Sequence, residues 1–587
     1  MKLWRMGLVA VFLCGVGNAW ADEYAPAVMA PVVSAGEVVD AATTVTPRGL
    51  QWRVTKLSWT ASDERAYGDF VHALGESDCE DIDSCLKSSA NIYRGSDPAG
   101  MSFYADCADL PYLLRAYFAW KNGLPFSYAS GVAAIGHSND LRYSRYGNYV
   151  YARADVRPPA DGVWPNARTA FYNLNNVISS AMYRFAPGQK RGELFDFYPV
   201  KITPDSIRPG TNIYDPNGHV AVVYDVDDEG RIRFIDSHPD NKVTRGNYGR
   251  RFVRASAPMG AGFKNWRPQI LVGATQAPDG SWVGGVVKLA TNAELPDWSV
   301  EQFFGTENAT RWSAARFVYQ GETIDYYDYV RRAVAGHDII YDPLNETRSM
   351  VKGLCEDLHY RVEAVDVAVK AGINNQVPPE RLPENIYGTS GDWEIYSTPS
   401  RDARLKVSFK ELHDQVVRFV KLARAHDKHI AYEGNNVVGD LAAAYKAEAG
   451  QCKTTYQASD GSTRELSFDE ARQRLFDFSF DPYQCPERRW GATSAAELAT
   501  CPDGALKQAW YKAERRLRNQ LDRTYDVEMG FSLRDLQNGV PNSGQDNPPN
   551  VDVLGTLASM EATGSLAVGD IRPALVPSEV VPESEAN

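Results

Sequence analysis

Apolar and polar residues alternate with two different periods along this chain, and the period changes near residue 290. In the first part, helical spacing of apolar residues comes before several strand-like runs. The helical segments lie near 62–75 and 106–121, and the strand-like runs lie near 218–226, 231–236 and 269–272. This order predicts an α+β domain over residues 48–292, with a helix packed on an antiparallel sheet.

The second part of the chain, residues 293–536, is predicted to form a mostly α-helical domain. Apolar residues recur there at helical spacing in long segments, at 325–334, 348–371, 409–426 and 507–524. A polar and aromatic stretch at 383–404 interrupts these segments and is predicted to be a loop. The predicted fold class is therefore α+β, with a sheet domain followed by a helical domain.

The first residues have the pattern of a secretory signal. Lys2 and Arg5 come before an apolar run at 8–16, and a small-x-small cleavage site ends at Ala21. The apolar run is too short for a membrane-spanning helix, which needs roughly 20 residues. We therefore predict a signal peptide at 1–21, no transmembrane span in the mature form, and a periplasmic or secreted location.

Two further segments differ in composition from the rest of the chain. Residues 22–47 are rich in Ala, Val and Pro and are predicted to be a flexible leader. Residues 537–587 carry seven acidic residues and one arginine among many Pro, Ser and Ala, so they are predicted to be a disordered acidic tail. The net charge of the chain is −13, whereas nucleic-acid binding needs clustered basic residues. We therefore exclude nucleic acid as a partner.

An exported protein folds where thiols oxidise, so the number of cysteines is informative. Beyond the signal peptide the chain has seven cysteines, and an odd number leaves at least one thiol unpaired. Sequence proximity gives candidate pairs, namely Cys79 with Cys85, Cys485 with Cys501 and, for the two that are left over, Cys355 with Cys452. Cys107 has no obvious partner. The alternative, in which every thiol is free, stays open at this point.

Cys107 opens an apolar helical stretch, and this position favours a reactive thiol. Asp106 is a good N-cap residue and Pro111 is tolerated only in the first turn, so the helix is predicted to begin at or near Cys107. Backbone N–H groups at a helix start stabilise a thiolate and can donate to a developing oxyanion. Cys107 is therefore a candidate nucleophile, with Asp106 and Ala108 in the candidate oxyanion region. The opposing interpretation is a buried, inert cysteine.

A thiolate nucleophile also needs a general base, for which His219 is the candidate. It stands at the start of a strand-like run, and a hairpin through 227–230 leads to the next strand. If the two strands pair in antiparallel fashion, residue 219 falls opposite roughly 237–238, which brings Asp236 or His238 close to it. We prefer Asp236 as the residue that orients the imidazole, with His238 as the alternative.

Two motifs around these residues resemble those of known families. The segment 91–110, NIYRGSDPAGMSFYADCADL, resembles the cysteine-helix signature of NlpC-type cell-wall peptidases. The segment 209–223, which contains Gly-His-Val-Ala-Val-Val, is similar to the second motif of that family and of CHAP-type amidases. The chain departs from the family in having Ala108-Asp109 where the family has Ser-Gly, and in the long spacing between the two motifs.

The resemblance implies a papain-like fold in which Cys107 is the nucleophile, His219 the general base and Asp236 the orienting residue. Tyr93 corresponds to an upstream tyrosine of the family and is a candidate for the substrate or oxyanion region. The helix and the Gly-Leu-Pro after it also resemble transglutaminase-like domains, whose spacing from histidine to aspartate fits His219 and Asp236.

These resemblances imply an exported cysteine hydrolase that cleaves a peptide or amide bond in the cell envelope, on a peptide or peptidoglycan-type substrate. A transglutaminase-like acyl transferase is the first alternative, and a catalytically inactive envelope binding or assembly module is the second. The helical domain is a candidate surface for an envelope protein partner. The sequence has no paired cysteine motif for a metal and no phosphate-binding loop, so we expect no cofactor and no metal.

Overall fold

The computed structural model describes residues 49–156, 163–386, 388, 391–396, 399–521 and 529–563. The signal peptide predicted at 1–21, the leader predicted at 22–47 and the last part of the predicted tail lie outside the described residues. Helices and antiparallel strands are mixed, which confirms the α+β class. Within the described ranges, none of the helices combines the length and the apolar composition that crossing a bilayer requires.

The first half of the chain carries most of the strands. Its helices are α1 (Ala61–Gly75), α2 (Ile82–Lys87), α3 (Asp109–Asn122) and α4 (Ala167–Asn175). Its strands are β1 (Phe126–Ala134), β2 (Asn148–Val156), β3 (Phe197–Pro199), β4 (Asn212–Asp215), β5 (His219–Val226), β6 (Ile232–Ser237), β7 (Val243–Asn247), β8 (Gly262–Trp266), β9 (Gln269–Gln276) and β10 (Trp282–Leu289).

The second half is mostly helical, as predicted. Its helices are α5 (Glu301–Phe304), α6 (Tyr326–Ala335), α7 (Pro343–Lys370), α8 (Asp392–Ile395), α9 (Pro399–Arg424), α10 (Val437–Ala449), α11 (Phe468–Gln473), α12 (Pro486–Arg489), α13 (Ala495–Leu498), α14 (Ala505–Ala513), α15 (Arg515–Asn519), α16 (Leu533–Gln537) and α17 (Val553–Thr563). Its strands form the two hairpins β11 (Phe317–Tyr319) with β12 (Glu322–Ile324) and β13 (Lys453–Gln457) with β14 (Thr463–Ser467).

The largest sheet of the described residues is antiparallel, with the strand order β3-β8-β4-β5-β6-β7. Both faces are buried, because alternate residues of one strand enter different hydrophobic clusters. Val220 and Val222 of β5 face the cluster that contains α3. Ala221 and Val223 face the opposite cluster, to which α6 contributes. The start of β5 is therefore enclosed on both sides by packed helices.

Helix α3 is buried along almost its whole length, so its charged residues need partners inside the protein. Arg115 forms an ion pair with Glu64, and its guanidinium lies 3.3 Å from the ring centroid of Trp59. Lys121 pairs with Asp97 at 2.6 Å. The helix ends at Gly123, whose φ of +63° closes a left-handed C-cap. These contacts fix α3 as the central helix of the first half.

The second half corrects several boundaries of the sequence analysis. Helix α9 begins at Pro399, so residues 399–404 of the predicted loop are helical. The described part of the segment predicted at 507–524, which ends at residue 521, contains two short helices rather than one. The predicted disordered tail is also too long, because α17 buries Val553, Leu557 and Met560 against the core of this half. The free energy gained by burying these apolar side chains is sufficient to order α17, although the residues around it are polar.

The described residues from the first half and from the second form one compact unit. Helix α6 belongs to the second half in sequence, but Val330 and Val334 pack on the main sheet together with Val223. The domain boundary proposed at 292–293 therefore stays a prediction.

The disulfides pair as the spacing predicts. They join Cys79 with Cys85, Cys355 with Cys452, and Cys485 with Cys501. Cys107 is the cysteine of the described residues that stays free. Structural disulfides form in oxidising compartments, so these pairs are compatible with a periplasmic or extracellular protein.

Removing the disulfide between Cys355 and Cys452 is expected to destabilise the protein more than removing the one between Cys79 and Cys85. The first closes a separation of 97 residues and the second one of 6. In the chain-entropy model this gives losses of about 4 to 5 and about 2 kcal/mol, respectively. Denaturant unfolding of the two Cys→Ser double variants measures both values. Equal losses would show that loop entropy does not set the difference.

Candidate active site

The start of α3 is held by the side chain of Asp106. Its Oδ1 accepts the backbone N–H groups of Ala108 at 2.8 Å and of Asp109 at 2.9 Å. Asp106 thus caps the helix as predicted, and Cys107 lies between the cap and the first helical residue. The same bond occupies the Ala108 N–H, so this group does not point into an open oxyanion site as the sequence analysis expected.

His219 is positioned by the tight turn between β4 and β5. Asp215 pairs with His219 across the hairpin, and the N–H of Gly218 donates to the Asp215 carbonyl at 3.0 Å. Gly218 has a φ of +85°, and a Cβ there would lie 2.7 Å from the hydroxyl of Tyr143. The turn therefore requires glycine immediately before the histidine.

The imidazole of His219 is hydrogen-bonded to Asp236, the residue that we preferred as its orienting partner. The distance from Nε2 to Oδ2 is 2.6 Å. The other carboxylate oxygen of Asp236 accepts the hydroxyl of Thr244, which lies opposite it on β7. His238, the alternative, is 3.6 Å from Asp236 and its ring stacks 6.0 Å from that of His219.

The carboxylate of Asp236 is charged although it is buried. Burial alone would raise its pKa, but the positive charge of His238 and the hydrogen bonds from His219 and His238 together lower this pKa well below the usual range. A negative Asp236 stabilises an imidazolium at His219. This is the electrostatic role that the third residue of a catalytic triad has.

The thiol of Cys107 reaches the start of β5 from the side of α3. Its sulfur lies 3.8 Å from the carbonyl oxygen of Gly218, the residue directly before His219. The His219 side chain lies on the other face of the strand, because it alternates with Val220. Among the hydrogen bonds of the described residues, none joins the sulfur to the imidazole. The two groups are thus neighbours across the strand start without being bonded.

The thiol is held in its neutral form. Burial raises the pKa of Cys107 far above its usual value, and the negative charge of Asp106 raises it further. The backbone N–H of Val220 and the positive charge of Arg404 act in the opposite direction and are weaker. The prediction that the helix start lowers this pKa is wrong for this conformation, because desolvation and the capping carboxylate outweigh the backbone dipoles.

A cavity of about 450 Å³ opens beside the imidazole. The sheet side of this cavity is lined by His219, Asp236 and His238, and the other side by residues of α7 and α9, among them Tyr360, Arg401 and Arg404. Cys107 is not one of its lining residues. The cavity therefore gives access to the base, and the thiol lies behind the start of β5.

Other candidates lie elsewhere. The ring of Tyr93 packs 5.8 Å from the ring of Phe118. Phe118 is roughly 16 Å along α3 from Cys107, so Tyr93 does not belong to the site.

Thr244 and the arginines of α9 belong to the site and are not indicated by the sequence patterns. The register between β6 and β7 would have revealed Thr244, whereas nothing in the sequence brings α9 to the sheet.

Two groups of side chains in the described residues have the proximity that metal binding needs. They are Cys355 with His359 and Cys452, and Cys485 with Cys501 and Asp503. In both groups the cysteines form a disulfide, and metal ligation needs the thiolate. These groups are therefore structural crosslinks in this state.

Comparisons of the chain with protein-family models, with characterised proteins and with solved structures find no match. The resemblance to cysteine peptidases thus depends on the two motifs and on the geometry around them.

Replacing Asp106 with Asn is expected to make the thiol more reactive at neutral pH. Asn caps a helix as well as Asp does, so α3 stays intact, while the charge that raises the pKa of Cys107 is lost. We expect alkylation of Cys107 by iodoacetamide at pH 8 to become roughly threefold to tenfold faster. The control is Asp69→Asn, an exposed change on α1. An unchanged rate in Asp106→Asn would remove this carboxylate from the control of the thiol.

Proposed function

We propose that this chain is an exported cysteine hydrolase of the papain-like kind, which cleaves a peptide or amide bond in the cell envelope through a thioester on Cys107. The observation that carries the proposal is the arrangement at the start of β5. There the free thiol of Cys107 contacts the residue before His219, and His219 is hydrogen-bonded to a charged, buried Asp236. A nucleophile, a base and an orienting carboxylate are the components that acyl transfer needs.

The residues would act in sequence. His219 accepts the proton of the Cys107 thiol as the sulfur attacks the carbonyl carbon, and Asp236 stabilises the imidazolium that forms. The imidazolium then gives its proton to the leaving amine, which leaves a thioester on Cys107. A water molecule, deprotonated by His219, attacks the thioester and releases the acid. Thr244 keeps the carboxylate of Asp236 in place during both steps.

The conformation described is a resting one under this proposal. The thiol donates to the Gly218 carbonyl and the imidazole lies on the other face of β5, so both the side chain of Cys107 and the start of β5 have to move before the sulfur meets the imidazole. The negative charge of Asp106 and the burial of the sulfur keep the thiol neutral until then. A substrate in the cavity beside His219 would supply the carbonyl carbon that the sulfur attacks after this movement.

The same observations support a second candidate, an inactive binding or assembly module. A buried, neutral thiol that is bonded to a backbone carbonyl also fits a purely structural cysteine. In that case the helical half would be the working surface for an envelope partner. The two candidates differ in whether Cys107 reacts.

Replacing His219 with Ala is expected to slow the alkylation of Cys107 at pH 7 by about tenfold, because no imidazole is left to accept the proton of the thiol as the sulfur attacks. The rate is followed by mass spectrometry of the peptide that contains Cys107. His337→Ala, at an exposed histidine of the second half, is the matched control. If His219→Ala and the control react alike, His219 is not the base. If Cys107 in the wild type reacts no faster than an unfolded cysteine peptide, the inactive module is favoured.

Product analysis separates hydrolysis from transfer. Wild-type protein incubated with a peptidoglycan and envelope-peptide extract is expected to release new carboxyl ends, whereas Cys107→Ala releases none. A fluorescent primary amine in the same reaction reports the transglutaminase-like alternative. Incorporation of the amine in place of new carboxyl ends would overturn plain hydrolysis while keeping the thioester.

A further inference from the structure

The cavity beside His219 contains charged groups that the proposed chemistry does not use. They come from α7 and α9 of the second half and stand opposite the sheet. Its lining cations there are Arg361, Arg401 and Arg404, together with Arg245 and Arg251 of the first half. All five have partners in the structure, and for Arg245, Arg251 and Arg361 these partners can be named.

Two of the cations are neutralised by carboxylates in bidentate pairs. Arg251 donates to both oxygens of Asp357, at 3.1 and 2.7 Å. Arg361 donates to both oxygens of Asp402, each at 2.9 Å. Arg245 donates to backbone carbonyls, among them that of Gly75 at 2.6 Å. Of these three arginines, Arg251 joins the first half of the chain to the second through Asp357, whereas Arg245 and Arg361 bond within their own halves.

Arg401 and Arg404 both lie on α9, at the wall of the cavity opposite the sheet. They are three residues apart on α9, so they lie on the same face of the helix and both line the cavity. The guanidinium of Arg401 lies 5.7 Å from the ring centroid of Tyr360. Burial raises the pKa of the Cys107 thiol, and the charge of Arg404 offsets a small part of this rise. Burial lowers the pKa of His238, and the charge of Arg401 acts in the same direction. Both cations are thus close enough to act on the groups around the proposed reaction.

We propose that Arg401 and Arg404 form a carboxylate-binding subsite in the cavity beside His219. This inference rests on the proposed function and adds the substrate class, a peptide with a carboxylate close to the bond that is cut. The second half of the chain would then select the substrate, because it supplies both arginines.

The chemistry of the cavity favours a carboxylate over other anions. Each guanidinium has five donors, so an incoming carboxylate can share it with the partners that both arginines already have in the structure. Glu356 and Glu363 line the same cavity, and like charges repel. Their presence disfavours a dianion such as phosphate and allows a singly charged group at the arginines.

The test is equilibrium binding of two matched probes, N-acetylalanine and N-acetylalaninamide, measured by titration calorimetry. The probes differ in one carboxylate. We expect the wild-type protein to bind the acid at least fivefold more tightly than the amide. Arg404→Gln and Arg401→Gln are each expected to lose this preference, and Arg404→Lys is expected to keep part of it. Arg233→Gln, which removes a half-exposed arginine of β6 outside the cavity, is the control.

Equal affinity for acid and amide in the wild type would overturn the subsite. So would a preference that survives in Arg404→Gln, or tighter binding of inorganic phosphate than of the acid. Thermal melting identifies a variant that fails to fold, and Arg404→Lys then decides the question, since it keeps the charge without the bidentate geometry.

A second measurement separates this inference from the proposed function. Cys107→Ala is expected to bind N-acetylalanine as the wild type does, since the subsite does not include the sulfur. The measured quantity is the rate at which iodoacetate alkylates Cys107 divided by the rate for iodoacetamide. This ratio is expected to be about five times higher in the wild type than in Arg404→Gln. A thiol that reacts with neither reagent would overturn the hydrolase and leave the binding result standing. A ratio that Arg404→Gln leaves unchanged would place the carboxylate away from the thiol and overturn the subsite.

Discussion

The candidate site depends on the antiparallel pairing of β5, β6 and β7. This pairing sets His219, Asp236 and Thr244 side by side on three successive strands and on one face of the sheet. A buried carboxylate without partners would take up a proton, so the charge of Asp236 depends on the electrostatic attraction of His238 and on the hydrogen bonds from His219 and His238. A shift of register by one residue would move Asp236 to the opposite face and remove these bonds. The fold and the electrostatics of the site are therefore fixed by the same hydrogen-bond ladder.

The second constraint is the conflict between helix stability and thiol reactivity at the start of α3. Asp106 satisfies two N–H groups of the first turn and so stabilises the helix that carries Cys107. The same carboxylate raises the pKa of the thiol and occupies donors that could otherwise stabilise an oxyanion. The neighbouring Asp109 is also buried, and burial together with the charge of Asp106 raises its pKa. The cap thus fixes the position of the candidate nucleophile, Cys107, and its charge helps to keep the thiol neutral.

The sequence predicts those features of the site that depend on residues close to each other in the chain. The N-cap Asp106, the hairpin between β5 and β6 and the pairing of Asp236 with His219 all follow from residues within about twenty positions of each other. The pairing of Cys355 with Cys452 follows by elimination once the two local pairs are assigned. What the sequence did not predict depends on contacts over long distances. The burial that raises the pKa of Cys107 and the approach of α9 to the sheet come from packing of elements that are hundreds of residues apart.

These long-range contacts make the second half of the chain a structural part of the candidate site. Helix α6 covers one face of the main sheet, and the pair of Arg251 with Asp357 joins the segment after β7 to α7. The second half is therefore part of the wall of the cleft and not an appendage to it. Because α7 and α9 line the side of the cavity opposite His219, a ligand of this cavity would contact two walls that are built from different parts of the sequence. The residues that α9 contributes to the cavity can therefore differ while the ladder that holds His219 and Asp236 stays intact.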